Sequence, residues 1–227
     1  MKKGLLDIDW RKVSDMSSED ISYYLFLEGK SIEAISVIRN IDKGSIQNHV
    51  INGKIKYRLY VKASSPSDMF NTILSAGKAD KLQFIKELSQ DNKTSLLEYI
   101  RTQYFSFNSS ERESAIWILG ELQDKNCIDI LTRASVNKSV NLRRMSISAL
   151  GKLGDKSVEN VIIRALEDEN PQVLQYAIKA LIRIKSIKAK DKIVKIMDAA
   201  EKEYLKRAAE EYLIYINSDN FEVKNEL

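Results

Sequence analysis

A single cysteine, a single histidine, two prolines and eight glycines among 227 residues leave this chain few means of being stapled, metallated or interrupted. Cys127 alone excludes an intramolecular disulfide framework, and with His49 as the only imidazole there is no Cys/His set from which to build a zinc site. No metal and no other cofactor are expected, and a reducing, cytoplasmic setting is the default. Long apolar runs are missing too. The N-terminus reaches Asp7 after only Leu5 and Leu6, too little for a secretory signal, and no run approaches the roughly 20 residues that a bilayer crossing takes. The chain is therefore expected to stay inside the cell and off the membrane. Pro66 and Pro171 are the only prolines, and with 44% apolar and 30% charged residues the composition is that of a well-cored, all-helical protein.

Acid is absent from one stretch. Net charge is +4; residues 1–64 hold 11 Lys and Arg against 8 Asp and Glu, leaving 25 against 24 in the remainder. Within 43–62 there is no acid at all, while Lys43, Lys54, Lys56, Arg58 and Lys62 are present. Such a stretch attracts phosphate, although a solvated face balanced by acids elsewhere in space gives the same count.

What the chain has in quantity is a repeat. Ala115-Ile116-Trp117-Ile118-Leu119-Gly120 returns as Ile147-Ser148-Ala149-Leu150-Gly151 and as Ala177-Ile178-Lys179-Ala180-Leu181, with Leu119, Leu150 and Leu181 each 31 residues apart. That period belongs to a two-helix solenoid unit. The second helix of each unit carries one apolar stripe at i, i+4, i+7: Cys127, Leu131 and Ala134, then Val158, Ile162 and Ala165, then Ala189, Ile193 and Ile196. Asp124, Asp155 and Ser186 fall where a short polar side chain can cap that helix, and Gly120 and Gly151 where the first helix is expected to end. A partial fourth copy with Leu205, Ala208, Ala209 and Leu213 follows after a 32-residue step.

The run Leu142-Arg143-Arg144, Ala149-Leu150-Gly151 and Gly154-Asp155 resembles HEAT repeats, in particular the short HEAT-like repeat of phycobiliprotein lyases. The resemblance implies an α-solenoid of ARM/HEAT type over 109–218, a scaffold that takes a protein partner and not a catalytic pocket. Upstream, 67–75, 79–88 and 94–105 read as helices and are expected to form degenerate leading repeats within 65–108. A polar loop over 105–110 and a tail over 219–227 complete this half.

Residues 1–64 lack the period. Ser17-Ser18-Glu19-Asp20 has the form of an N-terminal cap before the apolar run 21–27, and Ser31 opens a second helix over 32–40. A third helix carries Ile46 and Val50. Ile35, the small Ser36 and Ile46, eleven positions after Ile35, make the stretch 31–50 similar to the helix-turn-helix of bacterial transcription regulators. The usual turn glycine is Asn40, which tolerates the left-handed conformation. The resemblance implies a small DNA-binding head whose third helix enters the major groove. At 100° per residue, Ile46 and Val50 turn to the core, with Gly44, Ser45, Asn48 and Asn52 outward and Gln47 at the edge. Ser45, Gln47, Asn48 and Asn52 are then the candidate base readers, and Lys43, Lys54, Lys56 and Arg58 the candidate phosphate contacts. Outward Ile51 and Ile55 favour instead a plain helical hairpin that caps the solenoid.

No catalytic residue is expected. Trp117 and Glu121 beside Arg143 and Arg144 are similar to the groove residues of HEAT-like alkylpurine DNA glycosylases. Trp117, however, shares its repeat position with Ser148 and Lys179, and Glu121 with Lys152 and Arg183, which marks both as scaffold positions. Cys127 matches Val158 and Ala189 and reads as a buried hydrophobe. His49 has no partner set for acid–base work. A second basic cluster, Arg183, Lys185, Lys188, Lys190, Lys192 and Lys195, is interrupted by Asp191 and reads as a solvated face. The expected function is a non-enzymatic HEAT-repeat scaffold, a DNA-binding regulator or adaptor through its head. The alternative is a pure protein-interaction scaffold with no nucleic-acid binding, and a HEAT-like DNA glycosylase is a remote third.

Overall fold

The computed structural model describes the backbone of residues 1–224 and the side chains of residues 1–217, in two compact units, Met1–Leu96 and Leu97–Leu227. Both units are helical. The first begins with a feature the sequence did not announce, an antiparallel hairpin of β1 (Lys2–Lys3) and β2 (Leu6–Asp7), because two-residue strands carry no readable alternation. A short 3₁₀ turn, Trp10–Asp15, leads into α1 (Ser18–Leu27), α2 (Ile32–Arg39) and α3 (Lys43–Lys56). The short α4 (Arg58–Lys62) follows, then α5 (Pro66–Ser75), α6 (Lys78–Glu87) and α7 (Gln90–Gln103), within which the two units divide.

The caps read from the sequence do start these helices. Ser17 accepts from the Asp20 N–H at 3.1 Å and Ser31 from Ala34 at 3.1 Å, and Ser65, which the sequence did not single out, accepts from Asp68 at 3.1 Å; each satisfies a donor that has no partner inside its helix. α1 packs along α3 and α2 bridges them. Ile35, Ile46 and Val50 are buried at the centre, with Leu25, Phe26, Ile32 and Ile41 around them.

In the second unit, α8 (Ser109–Leu122), α10 (Val140–Leu153), α12 (Pro171–Arg183) and α14 (Glu203–Lys224) stack in sequence order. The shorter α9 (Ile128–Ala134), α11 (Glu159–Arg164) and α13 (Lys190–Ala199) each pack on the helix that follows. This is the all-α solenoid of HEAT-like repeats, preceded in the chain by a helix-turn-helix-like head. Leu119, Leu150 and Leu181 are fully buried, as are Leu131, Ile162 and Ile193. Ala165 and Ile196 are only half-buried; in the second unit the neighbouring Leu166 takes the buried place.

Several expectations are corrected here. The fourth copy keeps the 31-residue step: Tyr212, not Leu213, is the fully buried equivalent of Leu181. Gly120 and Gly151 lie inside their helices, which run on to Leu122 and Leu153. Their role is close approach, since a Cβ on Gly120 would meet the Ala149 Cβ at 2.9 Å and one on Gly151 the Ala180 Cβ at 2.7 Å. The left-handed turn comes later, at Gln123, Gly154 and Lys185 with φ of 52°, 66° and 55°. Asp124 and Asp155 cap the short 3₁₀ turns Lys125–Cys127 and Lys156–Val158 that lead into α9 and α11, accepting from Asn126 and Ser157, while α9, α11 and α13 themselves open at Cys127, Val158 and Ala189 with no side-chain cap. The stretch 105–110 is not a purely polar loop, because Tyr104 and Phe107 on either side of Phe105 and Ser106 are buried anchors. Apart from the backbone of α14, the tail expected over 219–227 lies outside the described residues.

Candidate nucleic-acid interface

The turn between α2 and α3 shows why this sequence folds as it does. Asn40 adopts the left-handed conformation at φ 51° and ψ 47°, the role glycine has in other such turns. Ser36 is small enough for the chain to fold back on it: its hydroxyl donates to the Ile41 carbonyl at 2.5 Å and its carbonyl accepts from the Ile41 N–H at 3.2 Å. Asp42 then caps α3, accepting from the Ser45 N–H at 2.9 Å and from its hydroxyl at 2.6 Å. Those two bonds, the hydroxyl foremost, hold the Asp42 carboxyl below the ordinary carboxylate range.

α3 is clamped to α1 along one side. Gly53 admits the Tyr23 ring, which stacks on Tyr57 at 5.6 Å. Lys56 donates to Asp20 at 2.9 Å, and the Tyr57 hydroxyl donates to the same carboxylate at 2.9 Å. Burial alone raises the Asp20 pKa, but hydrogen bonds from Lys56, Tyr57 and Ser17 outweigh it and leave the carboxyl below its usual value. Burial in turn pushes the Tyr57 hydroxyl up to about 12. His49 Nδ1 lies 3.0 Å from the Ser22 hydroxyl, which also accepts from Arg39 at 2.6 Å. His49 thus ties α3 to α1. Arg39, which the sequence did not single out, fastens α2 to α1 through Ser22 and through Ser18.

The eight candidate contact residues fall into distinct groups. Ser45 is half-buried and engaged with Asp42, and Asn52, although exposed, donates to Glu19 at 3.4 Å. Lys43 lies 3.6 Å from Glu33, Lys56 is paired with Asp20, and Arg58 is paired with Asp80. Lys54 sits over the Phe26 ring, 4.8 Å from its centroid. Gln47 and Asn48 are exposed, and among the described residues neither side chain makes a hydrogen bond. Beside them Ile51 and Ile55 are 54% and 64% exposed. On α2, Val37 is exposed as well. The carboxylates that partner the cations were invisible in the sequence, since they lie 10 to 36 positions away, from Glu33 with Lys43 to Asp20 with Lys56.

The groove residues of the glycosylase comparison are occupied otherwise. Glu121 is paired with Lys152, its equivalent one repeat on. Arg143 grips Asp168 at 2.6 and 3.0 Å and also donates to the carbonyls of Asn137 and Lys138. Arg144 stacks over the Tyr176 ring at 5.2 Å, and Trp117 is half-buried. Cys127 is buried, its thiol pushed up by burial and by the Asp124 carboxylate that accepts from it at 2.9 Å. In the second basic cluster Lys188 and Lys192 pair with Glu159 and Glu167. Among the described residues no cluster of His, Cys, Asp or Glu is suited to a metal ion, and no helix is long and apolar enough to cross a membrane.

Comparison with known families agrees with this geometry. A helix-turn-helix domain model matches residues 18–101, spanning α1 to α6 and most of α7. A HEAT-repeat model matches 137–214, and the model of the phycobiliprotein-lyase HEAT-like repeat matches 111–137. None of the curated proteins matches the chain significantly. By these matches and by its own helices, the chain carries HEAT repeats preceded by a helix-turn-helix domain.

Proposed function

We propose that this chain is a non-enzymatic scaffold whose head engages duplex DNA through α3 while its HEAT repeats hold a protein partner, a regulator or adaptor of the cytoplasm. The observation that carries the reading is the pair Gln47 and Asn48, exposed on α3 of a helix-turn-helix with their amides uncommitted. HEAT repeats are generally scaffolds, which supports a non-catalytic role. The paired cations do not preclude phosphate contact. An exposed ion pair such as Lys43 with Glu33, both more than 60% exposed, is worth about 0–1 kcal/mol and exchanges readily for a phosphate.

A second reading has its own support. Exposed Val37, Ile51 and Ile55, with carboxylates beside Lys43, Lys56 and Arg58, suit a protein-docking head that never meets DNA. Titration of bulk duplex DNA with the full chain separates the two. The first reading expects binding at low salt that weakens steeply as salt rises and is largely lost in a Lys43→Gln, Lys54→Gln, Lys56→Gln triple variant that remains helical. Absence of any binding at low salt would sink it in favour of the second.

A further inference from the structure

We infer that the head reads A·T base pairs in preference to G·C pairs, through Gln47, Asn48 and Ile51; this rests on the reading of α3 as a DNA-facing helix. The argument is one of chemical inventory on a single helix face. A guanine edge in the major groove offers two acceptors, N7 and O6, and is read by the donors of Arg or Lys. Every basic side chain of α3 is turned to a flank, Lys43 toward Glu33, Lys54 over Phe26 and Lys56 onto Asp20, and Arg58 beyond its end faces Asp80.

What remains on the outward face is amide and aliphatic. Gln47 and Asn48 each offer a donor and an acceptor, the complement of adenine N7 and N6. Ile51 lies four residues beyond Gln47 and three beyond Asn48, so it is one turn away on the same surface of the helix. In an A·T pair the thymine methyl sits in the same groove as the adenine edge, and 54% of Ile51 is free to cover it. Ile55, 64% exposed one turn further along, continues the aliphatic stripe. Ser45, His49 and Asn52, the other polar residues on this helix besides the lysines, have hydrogen bonds committed to Asp42, Ser22 and Glu19. The exposed isoleucines, unfavourable for a helix that reads G·C, thus have an apolar surface to meet in A·T sequence.

The test uses the full chain and three duplexes of equal length at moderate salt: alternating A·T, alternating G·C, and the A·T sequence with every thymine replaced by uracil. Uracil removes the methyl and leaves the hydrogen-bonding edges unchanged. The A·T duplex is expected to bind about tenfold or more tighter than the G·C duplex. Replacement by uracil is expected to cost about three- to fourfold for each methyl covered. Ile51→Ala, at an exposed position that does not disturb the core, is expected to make the thymine and uracil duplexes equivalent, and Asn48→Ala to narrow the gap between A·T and G·C. Equal binding to all three duplexes overturns the inference and leaves DNA binding standing. No binding to any of them at low salt overturns DNA binding itself, and the inference with it. A thymine preference that survives in Ile51→Ala overturns the role given to that side chain.

Discussion

Gly53 is the residue on which the packing of α3 against α1 turns. A Cβ there would lie 2.2 Å from Cγ and 2.6 Å from Cβ of Tyr23, which are the stem of that side chain and not its mobile end. Tyr23 is 3% exposed and stacked on Tyr57, so it has nowhere to retreat. Gly53→Ala is therefore expected to lower the stability of the head by about 1–3 kcal/mol, read as a drop in the denaturant midpoint, despite the better helix propensity of alanine. Asp20 makes a pH-dependent contribution beside it. Its carboxyl lies below the ordinary value in the folded chain, so the unfolded chain takes up the proton first as pH falls. The stability that Asp20 lends is complete above its unfolded pKa of about 3.9 and is lost as the pH falls through the depressed folded value. Acid unfolding followed by circular dichroism should accordingly be less steep below about pH 4 in Asp20→Asn than in the parent chain. Neither contact was legible in the sequence: Gly53 looks like a helix flaw, and Asp20 like a first-turn acid placed for the helix dipole.

At the scale of the element, each repeat ends its first helix in the same way with a different residue. Gln123, Gly154 and Lys185 stand 31 residues apart and share a left-handed backbone, yet only one of them is glycine. A side chain in that conformation costs roughly 1–2 kcal/mol, partly offset by the larger entropy that glycine loses on folding. Gln123→Gly is thus expected to raise the stability of the repeat unit by about 0.5–1 kcal/mol. Gly154→Ala is expected to lower it by about 0.5–1 kcal/mol; open space surrounds its missing Cβ, so the loss comes from the backbone alone. A denaturant midpoint that moves the other way in either variant would refute this account. The sequence pointed to Gly120 and Gly151 as the helix ends, because glycine is the usual signal for one. Here that signal reports something else. Those two glycines let α8 approach α10, and α10 approach α12, and the left-handed turns fall three residues later to Gln123 and Gly154 and, in the third unit, to Lys185, of which only the glycine is what a local rule would select.

For the whole molecule, the surplus of charge is small and local. Net charge is +4, and four cations, Lys43, Lys54, Lys56 and Arg58, lie on α3 or directly after it. If all four meet phosphate, log affinity for duplex DNA is expected to fall with log salt at a slope of about −3 to −4, and the triple charge-removal variant at about −1. A slope near zero in the parent chain would mean that the basic stretch is only a solvated face. The repeat units follow a different rule of assembly. Glu121 pairs with Lys152, Lys125 with Asp155 and Glu159 with Lys188, so ion pairs step from one unit to the next as the buried leucines do.

The sequence by itself determined the helical class, the 31-residue period, the buried stripes, most of the caps and the helix-turn-helix. All of these follow from local chemistry: side-chain period, capping hydroxyls and carboxylates, and the fixed geometry of a turn between two helices. Only the tertiary structure decided which side chains of α3 are left free. Asn52, Lys43, Lys56 and Arg58 gained partners contributed by Glu19, Glu33, Asp20 and Asp80, and Gln47, Asn48, Ile51 and Ile55 did not. Such pairing depends on how helices distant in sequence come to lie side by side, and the sequence of a single helix carries no record of it.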